Sequence, residues 1–209
     1  MIEDMELNPP GQYGDDRNLR ARQRFWEQQD PYFDIVGWVL DLAGLTPGMR
    51  VLDLGAAPGS WTLYACQRVG PQGRVLAVDK TVIGIPLPPH AQFDQGDALE
   101  LESETLSVFA PYDVVLSDMA PNTTGNRAAD QAKSFELFMR ALQVAATLTK
   151  VGGSFVGKIF MGEDLALARK TLREHFETEK LIRPEGTRSV SYELFLIGLT
   201  RRAPPTGDG

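Results

Sequence analysis

The stretch VLDLGAAPGSW, residues 51–61, decides how this chain folds. It starts with the short apolar run Val51–Leu54, passes through the small residues Gly55–Gly59, and reaches Trp61 at the start of an amphipathic segment. A strand, a glycine-rich turn and a helix in this order are typical of α/β sheets, in which ligands lie beyond the carboxyl ends of the strands. The sequence therefore predicts a ligand site at this turn.

The rest of the chain alternates short apolar runs with longer amphipathic segments, which is typical of an α/β fold with helices on both faces of a mostly parallel sheet. With the run at 51–54 the pattern predicts a seven-stranded sheet, whose other strands are expected at Val75–Val78, Ala91–Phe93, Val114–Leu116, Ser154–Phe160, 177–182 and 193–199. Helices are expected near 32–45, 61–69, 129–149 and 163–175. No helix-length segment separates the last two strands, so we expect them to form an antiparallel pair at one edge.

Length and composition indicate one folded domain. The chain has 209 residues, of which 43% are apolar and 23% charged, as is ordinary for a globular protein. We expect residues 1–30 to combine a mobile acidic leader with an arginine-rich segment. We expect the single domain to span 31–202 and to be followed by a disordered tail at 203–209.

The charge balance limits the possible partners of the chain, and the single cysteine is expected to have a structural role. Acidic residues outnumber basic ones by 28 to 21, giving a net charge of −7, which disfavours a generic cationic binder of nucleic acids or membranes. A local basic patch could still contact RNA. Cys66 is the one cysteine and is expected to be a buried apolar residue. Without a long apolar run or a secretory pattern, the expectation is a cytoplasmic monomer with no membrane contact.

Acidic residues at the ends of the second and third strands indicate the kind of ligand. Asp79 ends the second strand, where a carboxylate commonly accepts hydrogen bonds from ribose hydroxyls, and Asp97 follows the third, where it could bond an adenine amino group. The turn has Ala57 where a dinucleotide-binding turn has its second glycine, so it provides less well for a pyrophosphate. S-adenosylmethionine (AdoMet), a nucleoside without phosphates, fits better. Solvated loop carboxylates or helix caps are the alternative for each acid alone.

Three further residues could carry chemistry at the same edge. Asp118 follows the fourth strand, Lys158 lies inside the apolar fifth strand, and Glu193 begins the last one. A lysine among apolar residues needs a partner, because a buried ammonium is costly. A structural ion pair is the alternative reading. As a base, a lysine needs its pKa lowered from about 10.4 toward 7–8, which burial favours and neighbouring carboxylates oppose.

These motifs resemble those of the FtsJ-like family of RNA ribose 2′-O-methyltransferases. The resemblance rests on four segments in the same order and spacing: DLGAAPGSW (53–61), SDMAPNTTG (117–125), GGSFVGKIF (152–160) and SYELFL (191–196). It implies a Rossmann-like AdoMet-dependent methyltransferase fold and large-subunit ribosomal RNA as substrate, with transfer RNA as second choice. It also implies catalytic roles for Asp118, Lys158 and Glu193, and AdoMet contacts from Gly59, Trp61, Asp79, Asp97 and Asp118.

One element of the family pattern is missing. The family places a further catalytic lysine in the N-terminal helical region, whereas this chain has no lysine before Lys80. Asp34, Arg22 and Arg24 are the positional candidates for its replacement. An arginine stays protonated, so it can position a substrate but cannot act as a base. The cluster Arg17–Arg24 is also the best candidate for contact with the RNA backbone, unless it is simply a solvated helix face.

Three other functions compete with RNA methylation. The missing lysine would fit an RNA-binding module that keeps the methyltransferase fold but has lost turnover. The acidic charge balance mildly favours a methyltransferase of a small molecule, and an NAD-dependent oxidoreductase is disfavoured by Ala57 in the turn. No metal is expected, because His90 and His175 are isolated and no spacing of His, Cys and carboxylates indicates a metal site.

Overall fold

The computed structural model describes residues 35–101, 103–183 and 192–204. Strands in this part of the chain are β1 Arg50–Leu54, β2 Arg74–Asp79, β3 Ala91–Gln95, β4 Tyr112–Ser117, β5 Thr149–Phe160, β6 Phe176–Ile182 and β7 Glu193–Arg201. Helices in the same part are α1 Ile35–Asp41, α2 Ser60–Val69, α3 Ser103–Leu106, α4 Arg127–Leu148 and α5 Leu165–His175.

The seven strands form one sheet in the order β3-β2-β1-β4-β5-β7-β6. Strands β1 to β5 are parallel, whereas β7 is antiparallel to both β5 and β6. The predicted mixed α/β sheet and its antiparallel edge pair are thereby confirmed. Chain order reverses between β1 and β4, which makes their carboxyl ends the switch point at which open α/β sheets bind ligands.

Because side chains alternate along a strand, the strands contribute residues to two apolar cores, one on either face of the sheet. On β1, Leu52 and Leu54 pack into the core that α4 and α5 cover, whereas Val51 packs into the core under α1 and α2. The strand residues of both cores are almost fully buried. Because parallel strands are covered on both sides, they read as continuous apolar runs, which explains why the sequence pattern locates them.

The structure differs from the sequence pattern in three places. Strand β5 begins at Thr149, five residues before the expected Ser154 and at the last residue of the helix expected near 129–149. The described part of α1 ends at Asp41 rather than at Leu45, and the chain then turns through Gly44 with φ of 76°. A four-residue helix, α3, precedes β4 and has too few residues for a periodic pattern. The proposed domain limits remain a prediction, since 1–34 and 205–209 lie outside the described residues. No helix in the described ranges has the length and apolarity of a bilayer span.

Candidate active site

The ends of six strands bring the predicted site residues to one edge of the sheet. Strands β1 to β5 point their carboxyl ends to this edge, and β7, being antiparallel, begins there. We call this edge the carboxyl rim, and define it as 55–59, 79–81, 95–99, 117–124, 158–161 and 192–193. The parallel topology therefore assembles a site from residues that are far apart in the sequence.

The glycine turn after β1 is shaped by two positive φ angles. Gly55 has φ of 76°, and a Cβ there would lie 2.6 Å from Met119 Cγ and 2.8 Å from its backbone nitrogen. Gly59 has φ of 116°, and a Cβ there would lie 2.4 Å from Ile85 Cδ1. Side chains at these positions would be both strained and crowded. The turn therefore brings its backbone into close approach with its neighbours, as a ligand cradle requires.

Asp79 holds the same turn from the end of β2. Its Oδ2 accepts a hydrogen bond from the Ala57 backbone N–H at 3.0 Å, and its Oδ1 accepts one from the Thr81 N–H at 2.7 Å. Each carboxylate oxygen has further lone-pair capacity after one such bond. Asp79 can therefore orient the turn and still accept hydrogen bonds from ribose hydroxyls.

Asp97 is held on the neighbouring side of the rim. Its Oδ2 lies 2.7 Å from Lys80 Nζ, and its Oδ1 accepts the Leu99 backbone N–H at 2.9 Å. Partial burial opposes ionisation, but the hydrogen bonds from Lys80 and Leu99 and the lysine charge outweigh it, so the pKa of Asp97 is lowered. Asp97 is therefore an ionised acceptor, as contact with an adenine amino group needs.

Trp61 contributes mainly to the core. Its side chain is 5% exposed and packs against Phe195 with ring centroids 5.5 Å apart. The residue lies in the first turn of α2, where backbone N–H groups have no intrahelical acceptor. Of the two parts of Trp61, the backbone N–H is thus the one suited to a ligand contact.

Asp53 is a further acid near the carboxyl end of β1, to which the sequence alone assigned no role. It is fully buried in β1, its Oδ2 accepts a hydrogen bond from Thr62 Oγ1 at 2.6 Å, and its Oδ1 has no partner among the described residues. Burial, with smaller contributions from the Asp118 and Asp79 charges, raises the pKa of Asp53 to about 7 despite the Thr62 hydrogen bond. An acid within an apolar strand is the sequence feature that could have indicated it.

Lys158 and Asp118 form the ion pair at the centre of the rim. Lys158 Nζ lies 2.8 Å from Asp118 Oδ1, with side-chain exposures of 9% and 32%. Ser117, the last residue of β4, pairs with Gly157 of β5, so Asp118 and Lys158, which follow them, lie side by side. The Asp118 N–H also donates a hydrogen bond to Leu54 O at 3.1 Å. Two of the three predicted catalytic residues are therefore in direct contact.

Glu193 lies on the same face of the sheet as Lys158. In the antiparallel register, Lys158 pairs with Phe195 and Phe160 pairs with Glu193. Paired residues share a face and alternate residues return to it, so Lys158 and Glu193 point to one side, two residues apart along the strands. The arrangement places Glu193 on the face of the sheet that carries Lys158, on the neighbouring strand β7.

Polar residues of α4 hold the rim from the opposite face. Buried Asp130 accepts hydrogen bonds from the Thr124 N–H and hydroxyl, both at 2.9 Å, which fixes the loop after β4. Ser134, one helical turn later, accepts the Phe160 N–H at 2.9 Å at the end of β5. Neither residue was predicted from the sequence, although their spacing of four places them on the helix face that continues with the apolar residues Leu137, Phe138 and Ala141.

Some of the predicted residues lie outside the part of the chain that the structure describes. These are Arg17–Arg24 and Asp34, the candidates for RNA contact and for the replacement of the missing lysine.

The predictions for the cysteine and for metal ligands fall within the described residues. Cys66 is buried, as predicted, and burial raises the pKa of its thiol to about 11. In the described ranges, no group of three or more His, Cys, Asp or Glu side chains is arranged to hold a metal ion.

The donor set at the rim fits AdoMet. The glycine cradle admits close approach, Asp79 and Asp97 provide anionic acceptors for ribose and adenine, and Asp53 Oδ1 is a buried acceptor without a partner. The turn sits between β1 and α2, so a ligand there also meets a helix N-terminus, which favours a carboxylate.

Comparison with known proteins identifies the family. The sequence model of the FtsJ-like methyltransferases matches residues 37–201. A ribosomal RNA large subunit methyltransferase E from Sorangium cellulosum is 60% identical over 159 residues, covering 76% of this chain and 75% of that protein. A protein of the same name from Desulfatibacillum aliphaticivorans is 48% identical over 159 residues, covering 76% and 77%.

Solved structures agree on the fold. A ribosomal RNA methyltransferase from Plasmodium falciparum has a TM-score of 0.67 at 20% identity and covers 81% of this chain and 97% of its own. Fibrillarin from Aeropyrum pernix, solved with bound AdoMet, has a TM-score of 0.53 at 16% identity and covers 77% and 73%. The fold, the family match over most of the chain and the high identity to a named relative lead to one conclusion: this chain belongs to the FtsJ-like methyltransferase family and uses AdoMet as its cofactor.

Proposed function

We propose that this chain transfers a methyl group from AdoMet to a ribose 2′-hydroxyl of large-subunit ribosomal RNA. The observation that carries the proposal is the Lys158–Asp118 pair, with its buried lysine 2.8 Å from a partly exposed carboxylate at the carboxyl rim. The class of RNA is supported by the relatives, which are named for the large ribosomal subunit. RNA is accordingly the partner that we assign to the rim.

On the cofactor side, different residues of the rim contact different parts of the AdoMet molecule in this proposal. We assign the ribose hydroxyls to Asp79, the adenine amino group to Asp97, and the methionine end to Gly59, the Trp61 backbone and Asp118. When bound, AdoMet supplies a methyl group on a positively charged sulfur. The leaving group is therefore already activated, and positioning and deprotonation of the acceptor hydroxyl remain for the protein.

On the acceptor side, Asp118 fixes the position of Lys158 Nζ, and Glu193 lies on the same face of the sheet. Lys158 can hold the hydroxyl oxygen by donating a hydrogen bond, or it can accept the hydroxyl proton. The neighbouring carboxylate favours the first role, and removal of water around the reacting groups favours the second. Lys158→Arg separates the two roles, because a guanidinium donates hydrogen bonds but does not accept a proton at working pH.

The experiment that tests the function is transfer of a labelled methyl group from AdoMet to three acceptors. These are large ribosomal subunits stripped of methylation, total RNA, and a metabolite extract. We expect label in large-subunit RNA, and we expect alkaline hydrolysis to leave it in a resistant dinucleotide because the 2′-oxygen is blocked. Label in the metabolite extract alone would show a small-molecule methyltransferase. Binding of RNA with no transfer to any acceptor would show a binding module.

A further inference from the structure

We propose that Tyr192 and Arg127 form a stacking site for an RNA base next to the acceptor ribose. The inference rests on the proposed function, because it assigns the neighbouring base of the same substrate. The Arg127 guanidinium lies 5.7 Å from the centroid of the Tyr192 ring, and Tyr192 immediately precedes Glu193. Arg127 lies outside the four segments that carry the family resemblance, and Tyr192 lies within one of them, SYELFL, but was assigned no role there.

The ring of Tyr192 is held in place by the end of β5. The Met161 backbone N–H donates to Tyr192 O at 2.7 Å, which continues the β5–β7 pairing beyond Phe160 and Glu193. The Tyr192 ring meets the Phe160 ring edge to face, with centroids 4.8 Å apart and an interplanar angle of 87°. Tyr192 is half-buried, so it is fixed by the protein and still partly open to solvent.

Position and charge both favour an RNA base as the occupant. The register puts Tyr192 opposite Met161, three residues beyond Lys158, which is about 10 Å along a strand. Lys80 and Lys158 at the rim are each within 3 Å of a carboxylate, at 2.7 and 2.8 Å. Exposed Arg127, by contrast, has no ion pair with any described carboxylate.

Aromatic rings and guanidinium planes are the groups on which proteins stack unpaired RNA bases. A base on this site would belong to a nucleotide next to the acceptor, about 10 Å along the strand from Lys158, and its stacking would add to the affinity for RNA. Because stacking acts on binding and not on the transfer itself, loss of the site should raise the RNA concentration at half-maximal rate and leave the rate at saturation nearly unchanged.

The test compares Tyr192→Leu with Tyr192→Phe in the full-length protein. Leucine keeps apolar packing on Phe160 but has no π face, whereas phenylalanine keeps both. We expect Tyr192→Leu to weaken binding of stripped large-subunit RNA about tenfold, as expected for one stacked base, and Tyr192→Phe to stay within about twofold of wild type. Single-turnover transfer at saturating RNA should stay within about threefold in both variants, and calorimetric AdoMet affinity should not change.

The chain provides a matched control in a second tyrosine–arginine pair. The Arg68 guanidinium lies 6.0 Å from the Tyr64 ring centroid on α2, where Tyr64 also hydrogen-bonds Asp41. We expect Tyr64→Leu to leave RNA binding within about twofold of wild type. Thermal unfolding of all variants identifies any loss of folding, and Tyr192→Phe then reports on the ring in a protein with native packing.

The outcomes separate this inference from the proposed function. RNA binding by Tyr192→Leu equal to wild type, or a wild type that does not bind RNA, overturns the stacking site. A wild type that binds RNA more tightly than Tyr192→Leu but transfers no methyl group to it supports the stacking site and overturns the proposed reaction. A tenfold weaker binding by both Tyr192→Leu and Tyr64→Leu also overturns the inference, because the effect would then be unspecific.

Discussion

The two ends of strands β4 and β5 carry the same pair of residue types with opposite burial. At the amino ends, Lys150 and Asp113 form an ion pair in which the lysine is 49% exposed and the aspartate 15%. At the carboxyl ends, Lys158 is 9% exposed and Asp118 is 32%. The first pair covers its carboxylate and leaves the ammonium in water, and the second does the reverse.

The difference separates a structural pair from one that can act on a ligand. Asp113 also accepts the Arg50 backbone N–H at 2.7 Å, so it ties the start of β4 to the start of β1, and the hydrated Lys150 adds little. Lys158 is removed from water and held by Asp118, so its Nζ has a defined position, and the carboxylate beside it is open to the crevice. Burial of the lysine, more than the presence of a pair, therefore distinguishes the pair at the carboxyl rim from the pair at the other end of the same strands.

The largest expected effect tests this contrast with two alanine variants. Lys158→Ala should lower single-turnover methyl transfer by about 10²–10⁴-fold, the range for a positioned acid–base group, with AdoMet affinity little changed. Lys150→Ala should leave transfer within about twofold, because an exposed ion pair contributes only about 0–1 kcal/mol. Rapid-quench measurements at saturating RNA decide the matter. Near-normal turnover in Lys158→Ala would reduce Lys158 to a structural partner like Lys150.

The next effect concerns the acid buried behind the rim. Burial raises the pKa of Asp53 from 3.8 to about 7, so the folded protein holds a proton that the unfolded chain releases between these values. This contribution to stability is fully present below about pH 4 and is lost as the pH rises through about 7. Relative to Asp53→Asn, the wild-type free energy of unfolding should fall by up to about 1.4 kcal/mol per pH unit in this window.

Denaturant unfolding of both proteins without AdoMet, at several pH values from 4 to 8, measures this difference. Asp53→Asn is the reference for the wild type, because the titration of every other carboxylate is common to the two proteins and cancels in the difference. A constant difference between their unfolding free energies across the window would show that Asp53 is ionised throughout, and that its burial does not raise its pKa.

Two glycines, one at the carboxyl rim and one near the amino end of β5, provide a third comparison. Gly55 at the rim and Gly152 near the start of β5 both have positive φ, 76° and 82°, but a Cβ at Gly152 would meet nothing within 4 Å. Gly152→Ala should therefore cost only the backbone strain, about 1–2 kcal/mol. Gly55→Ala adds a clash with the Met119 backbone, which we expect to cost about 1–3 kcal/mol more and to weaken AdoMet binding. Equal unfolding free energies for the two variants would contradict the close approach at the rim.

The smallest effect comes from an exposed lysine that lies at the rim. Lys80 is 64% exposed beside Asp97, so this pair resembles Lys150–Asp113 in burial although it lies at the carboxyl rim. We expect Lys80→Ala to change AdoMet affinity by less than about threefold. Asp97→Ala should weaken it by about 2–10-fold through one lost hydrogen bond. Calorimetry that shows a larger loss for Lys80→Ala than for Asp97→Ala would contradict the rule drawn from burial.

The sequence alone determined the sheet and the set of residues along its edge. Parallel strands covered on both faces are continuous apolar runs, so their positions, and the residues Asp79, Asp97 and Asp118 just beyond them, follow from local composition. The lack of a helix between β6 and β7 was sufficient to predict their antiparallel pairing. Because parallel strands end at a common edge, the sequence could also predict that Lys158 and Asp118 lie at one rim.

The contacts of the polar groups, by contrast, follow from the tertiary structure alone. The apolar run around Lys158 indicated that this lysine is buried, but the sequence did not show that it contacts Asp118 directly or that Lys150 pairs with Asp113 at the other end of the same two strands. The unpartnered oxygen of Asp53 and the support that α4 gives through Asp130 and Ser134 likewise depend on which helix covers which face. Secondary structure arises from local sterics and periodicity, whereas desolvation and pairing of a charge arise from neighbours brought together by strand order and helix packing.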